Sequence, residues 1–245
     1  MPATSLPIVA PAARLQGIRH PVSLLVWHDL VPADKLVWFD TTEQEFDAQL
    51  GHLSKAGARP ISLDALHRYL TTGGPKPPPG AVVLCFDDNT RGIFEYVFPR
   101  LQRRGWPFAV SVHTKYVGVT TGKVHCTWEE LRAMSMGGGQ IVSQTHTHPP
   151  DLRTLSDAAL AREMLLSRQI LAGELMGQPP AYLTYPSGKW DRRVALAAAT
   201  AGYRLALTED QGSAETSPHL LGIHRYSTHR RWTEGLAAVA RSARG

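Results

Sequence analysis

Short apolar runs and amphipathic segments alternate along this chain from about residue 22 to its end. The run VSLLVW (22–27), bounded by Pro21 and His28, reads as a buried strand. Thr42 and Glu45 have capping-box spacing, and Phe46, Leu50 and Leu53 follow at helical spacing until Gly57. RPISL (59–63) predicts a second strand, LDALHRYL (63–70) a short helix, and TTGGPKPPPG (71–80) a breaker-rich loop. AVVLCF (81–86) is the clearest strand and runs directly into Asp87 and Asp88. A helical segment to Arg104 comes next, followed by the strand FAVSVH (108–113). TWEE (127–130) is a further capping box that opens a helix to about Met136, and GGGQIVS (137–143) is another strand. Ser156 caps a long helix over 156–176, with Leu160, Met164, Ile170 and Leu171 on its apolar face. Strands at AYLTY (181–185), YRLALT (203–208) and LLGIHRY (220–226) alternate with helices at about 191–201 and 232–243.

Seven or eight β–α repeats with short apolar strands predict an α/β fold, a parallel sheet closed or nearly closed into a barrel with helices outside. In such barrels, functional groups gather at the C-terminal strand ends. The 245 residues read as one domain, with an irregular segment over 1–20. A composition of 43% hydrophobic and 19% charged residues fits a protein with a substantial core. No apolar run reaches the roughly 18–20 residues of a membrane span. Two cysteines are too few for a disulfide framework or a thiolate metal cluster. The charge of +5 is scattered, and its densest part, Arg225, Arg230, Arg231, Arg241 and Arg244, reads as solvated surface rather than a nucleic-acid face. No signal peptide is legible, so the expected location is cytoplasmic; a removed leader would instead place the protein in the periplasm or outside.

The polar residues that follow the strands carry the chemistry. They are His28-Asp29, Asp87-Asp88-Asn89, Thr114, Gln144-Thr145-His146-Thr147-His148, Pro186-Ser187-Gly188 and His224-Arg225. Imidazole nitrogen and carboxylate oxygen at neighbouring strand ends suit one divalent metal, Zn first, with Co, Ni or Fe as alternatives. Adjacent carboxylates point in different directions, so one can hold a metal while the other takes a proton from water. An Asp-rich turn capping the next helix is the competing reading. Residues 144, 146 and 148 lie two apart, so in an extended segment all three face one centre.

The segments LLVWHDL, LCFDDN, SQTHTHPPDL and TYPSGKW, in this order, resemble the polysaccharide deacetylase family, also called the NodB-homology domain or family 4 carbohydrate esterases. They are most similar to the branch that deacetylates poly-N-acetylglucosamine. The resemblance implies a distorted (β/α)7 barrel and a metal-dependent N-deacetylase acting on an N-acetylated carbohydrate or related small amide. It implies Asp87 as general base, Asp88 and His148 as metal ligands, and a third ligand where this chain has Gln144. An amide oxygen is a weaker ligand than imidazole, and His146 is the residue that would substitute. The backbone N–H of Ser187, in PSG where the family has PYG, would serve an oxyanion. His28 resembles the N-terminal acid of that branch, and His224 the acid of the non-permuted branches. Gln144 leaves open an inactive relative that binds carbohydrate or a protein partner. Asn89 stands where the family usually has Gly. Neither nucleic acid nor a membrane span is expected. Trp27, Trp106, Trp128 and Trp190 are either sugar-site floors or core, and His113, His125, His219 and His229 carry no assignment.

Overall fold

The computed structural model describes residues 21–175, 177 and 180–244; the expected irregular segment and residue 176 lie outside these. Seven parallel strands close on themselves: β1 (Ser23–Trp27), β2 (Ala81–Phe86), β3 (Phe108–Val112), β4 (Gly139–Ser143), β5 (Tyr182–Thr184), β6 (Leu205–Gln211) and β7 (Ile223–Ser227). Each pairs with the next in chain order, and β1 pairs with both β7 and β2, which completes the ring. The expected (β/α)7 barrel is therefore present.

Side-chain alternation along the strands divides the core. In β2, Val82, Leu84 and Phe86 face the outer helices, while Val83 and Cys85 face inward with Leu24 and Val26 of β1 and Leu205 and Leu207 of β6. Outside, Trp27 stacks on Phe86 at 5.3 Å against helix α1 (Glu43–Lys55), and β1 and β7 pack on the C-terminal helix. Helix α2 (Leu63–Thr72) puts Leu63, Leu66, Tyr69 and Leu70 into the inner cluster and plugs the N-terminal end of the barrel. The open end is the C-terminal one.

Both capping boxes form as the sequence predicts, at Thr42/Glu45 and at Thr127/Glu130, and Ser156 caps Asp157–Glu174. The expected strand RPISL is reduced to Arg59–Pro60, because Ser62 turns to accept the Ala65 N–H and start α2. The helical segment to Arg104 is a π turn (Ile93–Val97) followed by helix α3 (Phe98–Arg104). Pro99 explains the break, since it has no N–H to donate back to Glu95. The C-terminal helix starts at Thr228, four residues earlier than the pattern indicated, with a backbone break at Arg231.

Gly92, which opens the π turn, lies where a Cβ would collide with the Leu30 carbonyl and with Asp29 Oδ1. That aspartate accepts from Thr90 Oγ1 at 2.6 Å and pairs with Lys123 at 2.9 Å, tying three loops above the barrel. Gly92→Ala is expected to cost about 1–3 kcal/mol and to lower the thermal midpoint read by circular dichroism. An unchanged midpoint would show that this contact is not tight.

Candidate active site

Following the inward alternation to the C-terminal part of each strand, or one residue past it, brings His28, Asp87, Ser111, Gln144, Thr184, Glu209 and Arg225 into the barrel mouth. Asp87 follows Val83 and Cys85 inward, and Arg225 follows Ile223. The two meet in a bidentate pair, Nη1–Oδ1 at 3.0 Å and Nη2–Oδ2 at 2.7 Å, with both side chains essentially buried. Ser111 Oγ also donates to Asp87 Oδ1 at 2.8 Å, and Arg225 Nε donates to the Thr208 carbonyl at 2.7 Å. Arg225 is thus part of the site and not of the solvated basic tail the sequence suggested. Burial of the guanidinium opposes its charge, but Asp87 outweighs this and holds the group firmly protonated.

His28 lies beside Glu209, Nε2 to Oε1 at 3.5 Å, and its Nδ1 is buried without a protein partner. Burial disfavours the imidazolium; the Glu209 hydrogen bond and the charges of Asp88, Asp87 and Glu209 outweigh it, so the His28 pKa is raised. Glu209 is correspondingly held down at about 2, chiefly by His28. Gly188 permits this placement, because any Cβ there would clash with Glu209. His229 packs its ring 5.3 Å from that of His28, and burial together with the His28 charge lowers it to about 4. Burial also pushes the Cys85 thiol up to about 12, which removes it as a nucleophile.

Asp88 turns the other way from Asp87, in the left-handed region at φ 72°. Its N–H donates to Gln144 Oε1 at 3.0 Å, and Gln144 Nε2 donates back to Asp88 Oδ1 at 2.9 Å. His148 Nε2 lies 3.6 Å from the same Oδ1. Burial opposes the Asp88 charge, and the nearby His28, His148 and His113 more than compensate, so its pKa is lowered. His146 is absent from this group. Its Nδ1 bonds Thr114 Oγ1 at 2.9 Å, and Glu163 pins the His146 and Thr147 N–H groups at 3.0 and 2.8 Å. The strand ends at Ser143 and Thr145 adopts φ 67°, so the two-residue alternation that would bring 146 inward is lost. His224 is excluded by parity: it points away from Arg225 and its Nδ1 bonds Thr216 at 3.1 Å.

The divalent metal expected from the sequence needs at least three converging protein donors. Among the described residues, the one group of three or more ligand atoms of His, Cys, Asp or Glu within 4.8 Å of one another is His28, Asp87 and Glu209. There Arg225 already occupies both Asp87 oxygens, so a cation would sit against a guanidinium. At Asp88 and His148 the third position presents an amide N–H. Turning the Gln144 amide to offer its oxygen would set NH2 against the Asp88 N–H, at about 1–3 kcal/mol for each buried group left unsatisfied. The residues present do not fit the expected metal.

These groups line a cavity of ≈ 420 Å³ with Trp38, Phe39, Ser187, His229 and Arg230. Trp38 is 60% exposed, and Arg230 stacks over its ring at 4.4 Å. Trp27 is core, as its strand position requires. A second cavity of ≈ 360 Å³ shares Phe39, Asp88 and His148 and adds His113, His125, Tyr116 and Lys123. Asn89 braces the junction by accepting the His113 N–H at 3.2 Å. The described non-glycine residues with positive φ are Asp88, Asn89, Thr145, His148 and Ser187, all on loops at this mouth. Such backbone costs of order 1–3 kcal/mol per residue and persists where surrounding structure enforces it.

Two tests follow from the charges. Arg225→Leu leaves Asp87 buried and unpaired, and is expected to cost about 3–5 kcal/mol in urea unfolding; a loss below about 1 kcal/mol would contradict the pairing. The stability that His28 draws from its partners is fully present below the ordinary histidine pKa and is lost as pH rises through the raised folded value. Glu209→Gln should therefore move the His28 titration, followed by its ring-proton resonance, to lower pH. An unmoved titration would show that Glu209 does not hold it.

The sequence profile described as polysaccharide deacetylase matches residues 74–206. YxkH of Bacillus subtilis (strain 168), named provisionally as a polysaccharide deacetylase, is 24% identical over 202 residues, 82% of this chain and 69% of that protein. Among solved structures, the Streptococcus pyogenes deacetylase PplD in complex with acetate superposes with TM-score 0.75 at 23% identity, over 84% of this chain and 92% of that one. IcaB from Ammonifex degensii superposes with TM-score 0.76 at 21% identity, over 92% and 98%. These likenesses give the barrel, and the profile, spanning more than half of the chain, gives the family: the chain belongs to the polysaccharide deacetylases.

Proposed function

We propose that the protein hydrolyses the N-acetyl group of an amino sugar, in a mono-, oligo- or polysaccharide or a related amide, releasing acetate and a free amine. The observation that carries this reading is the pair Asp87 and His28. Ligand atoms of the two lie within 4.8 Å, and each has its own opposite charge, Arg225 for one and Glu209 for the other. Two titratable groups with environments this different can divide base and acid work. Of roughly four lone-pair directions on Asp87, Arg225 and Ser111 take three, which leaves one for a water proton. Water adds to the acetyl carbonyl as its proton passes to Asp87. The Ser187 N–H, on its left-handed turn, stabilises the oxyanion. The C–N bond then breaks as His28 delivers its proton to the departing nitrogen, which is a poor leaving group otherwise.

The family's enzymes are generally metalloenzymes, and a metal there supplies Lewis-acid polarisation of the carbonyl. No step above uses one, because the donors at Asp88 do not fit it. Trp38, Phe39 and His229 form an aromatic wall suited to a sugar face, and Arg230 adds a cation at the rim. A second reading, a carbohydrate-binding relative without turnover, is favoured by Gln144, and one assay separates the two. Free-amine release from an N-acetylated chito-oligosaccharide should be measurable in the wild type and fall by about 100- to 10,000-fold in Asp87→Asn. Trp38→Ala should raise KM roughly 3- to 10-fold with kcat unchanged, as loss of about 0.5–1.5 kcal/mol of ring contact implies. No release across soluble and polymeric N-acetyl sugars would leave the binding reading.

A further inference from the structure

We infer that the Asp88 corner of this barrel works without a resident divalent cation, Gln144 having turned a ligand position into a hydrogen-bond strut. Gln144 is 2% exposed and sits at the inward position next after Val142 in β4, so its amide is delivered to the mouth by the sheet itself. Both ends of that amide are used on one residue, the oxygen on the Asp88 N–H and the nitrogen on Asp88 Oδ1. The backbone N–H fixes which way round the amide lies, because it can only donate and so needs the oxygen. The carboxylate oxygen nearest His148 therefore accepts from an amide N–H of the residue that stands at the third ligand position.

Neighbouring imidazoles do not restore the set. His146 is held at Thr114 by the Glu163-pinned turn. His125 spends Nδ1 on the Asp88 carbonyl at 3.1 Å and Nε2 on Thr121 Oγ1 at 2.7 Å. His113 has a free buried Nδ1, yet it completes no three-atom group with Asp88 and His148 within 4.8 Å. What the corner keeps is geometry. The strut holds Asp88 at its left-handed φ, which turns its carboxylate away from the Asp87–Arg225 pair. Gln144 is in these terms a positioning residue for the Asp87–Asp88 turn.

The test is metal binding by the full chain, measured without substrate. Dialysed wild type is titrated calorimetrically with ZnCl2 and CoCl2, and bound metal is quantified by elemental analysis. Two variants accompany it: Gln144→His, which offers imidazole, and Gln144→Glu, which keeps the shape and replaces the N–H donor with an oxygen. Wild type is expected to hold either metal substoichiometrically. At least one variant should bind one equivalent, on the order of 100-fold more tightly or better, and lose it on adding Asp88→Ala. One equivalent of Zn or Co in wild type, lost in Asp88→Ala, overturns the inference. So does a failure of both folded variants to gain metal, since Gln144 would then not be the determinant. These outcomes are separate from the deacetylase reading, which fails only if no N-acetyl sugar is hydrolysed.

Discussion

The bidentate pair between Asp87 and Arg225 is the constraint around which the mouth of this barrel is built. Two opposite charges are removed from water at the end of a β-barrel core, where desolvating each costs several kcal/mol unless geometry and further hydrogen bonds compensate. The chain supplies both. Two strands that follow inward registers deliver the groups to the same level, and Ser111 and the Thr208 carbonyl satisfy remaining donors and acceptors. Once Asp87 is held in this way, the adjacent carboxylate has to turn elsewhere. Asp88 does so through a left-handed backbone that Gln144 supports. Two neighbouring aspartates thereby acquire different surroundings, one against a guanidinium and one among imidazoles.

A second charge pair, His28 with Glu209, stands beside the first and keeps the imidazole ready to hold a proton. The separation of tasks arises from strand parity more than from any single motif. Residue 28 just past β1, 87 just past β2, 209 beyond the apolar part of β6 and 225 on β7 all follow an inward apolar residue by two positions. Strained loops then hold the ends of the strands in place, with Thr145, His148 and Ser187 in backbone regions that L-residues rarely adopt.

Much of this was legible in the chain because the fold is written as a period-two pattern inside a repeated β–α unit. Every barrel strand follows from an apolar run, and both capping boxes form where their Thr and Glu indicate. Asp87, Asp88, His28, Gln144, His148 and Ser187 all follow strands in the sequence, and the structure gathers the six around one cavity. The same parity, counted inward, would have found Arg225 and Glu209; charge composition instead suggested solvent for Arg225. His146 lies off that cavity because the strand, and with it the two-residue alternation, ends at Ser143. His224 lies off that cavity because it alternates with the inward Arg225 in β7. Trp38, His229 and Arg230 come from loops and a helix start whose placement depends on tertiary packing, so no local pattern marked them.

The central claim is that water, activated beside Asp87, removes an acetyl group with no cation at Asp88. Its most direct test is isotope analysis of the acetate released from an N-acetylated amino-sugar oligomer in ¹⁸O-labelled water containing a strong chelator. The acetate should carry one solvent oxygen and form at the same rate with and without the chelator. Acetate that appears only when Zn or Co is added back, or no acetate under either condition, would contradict it.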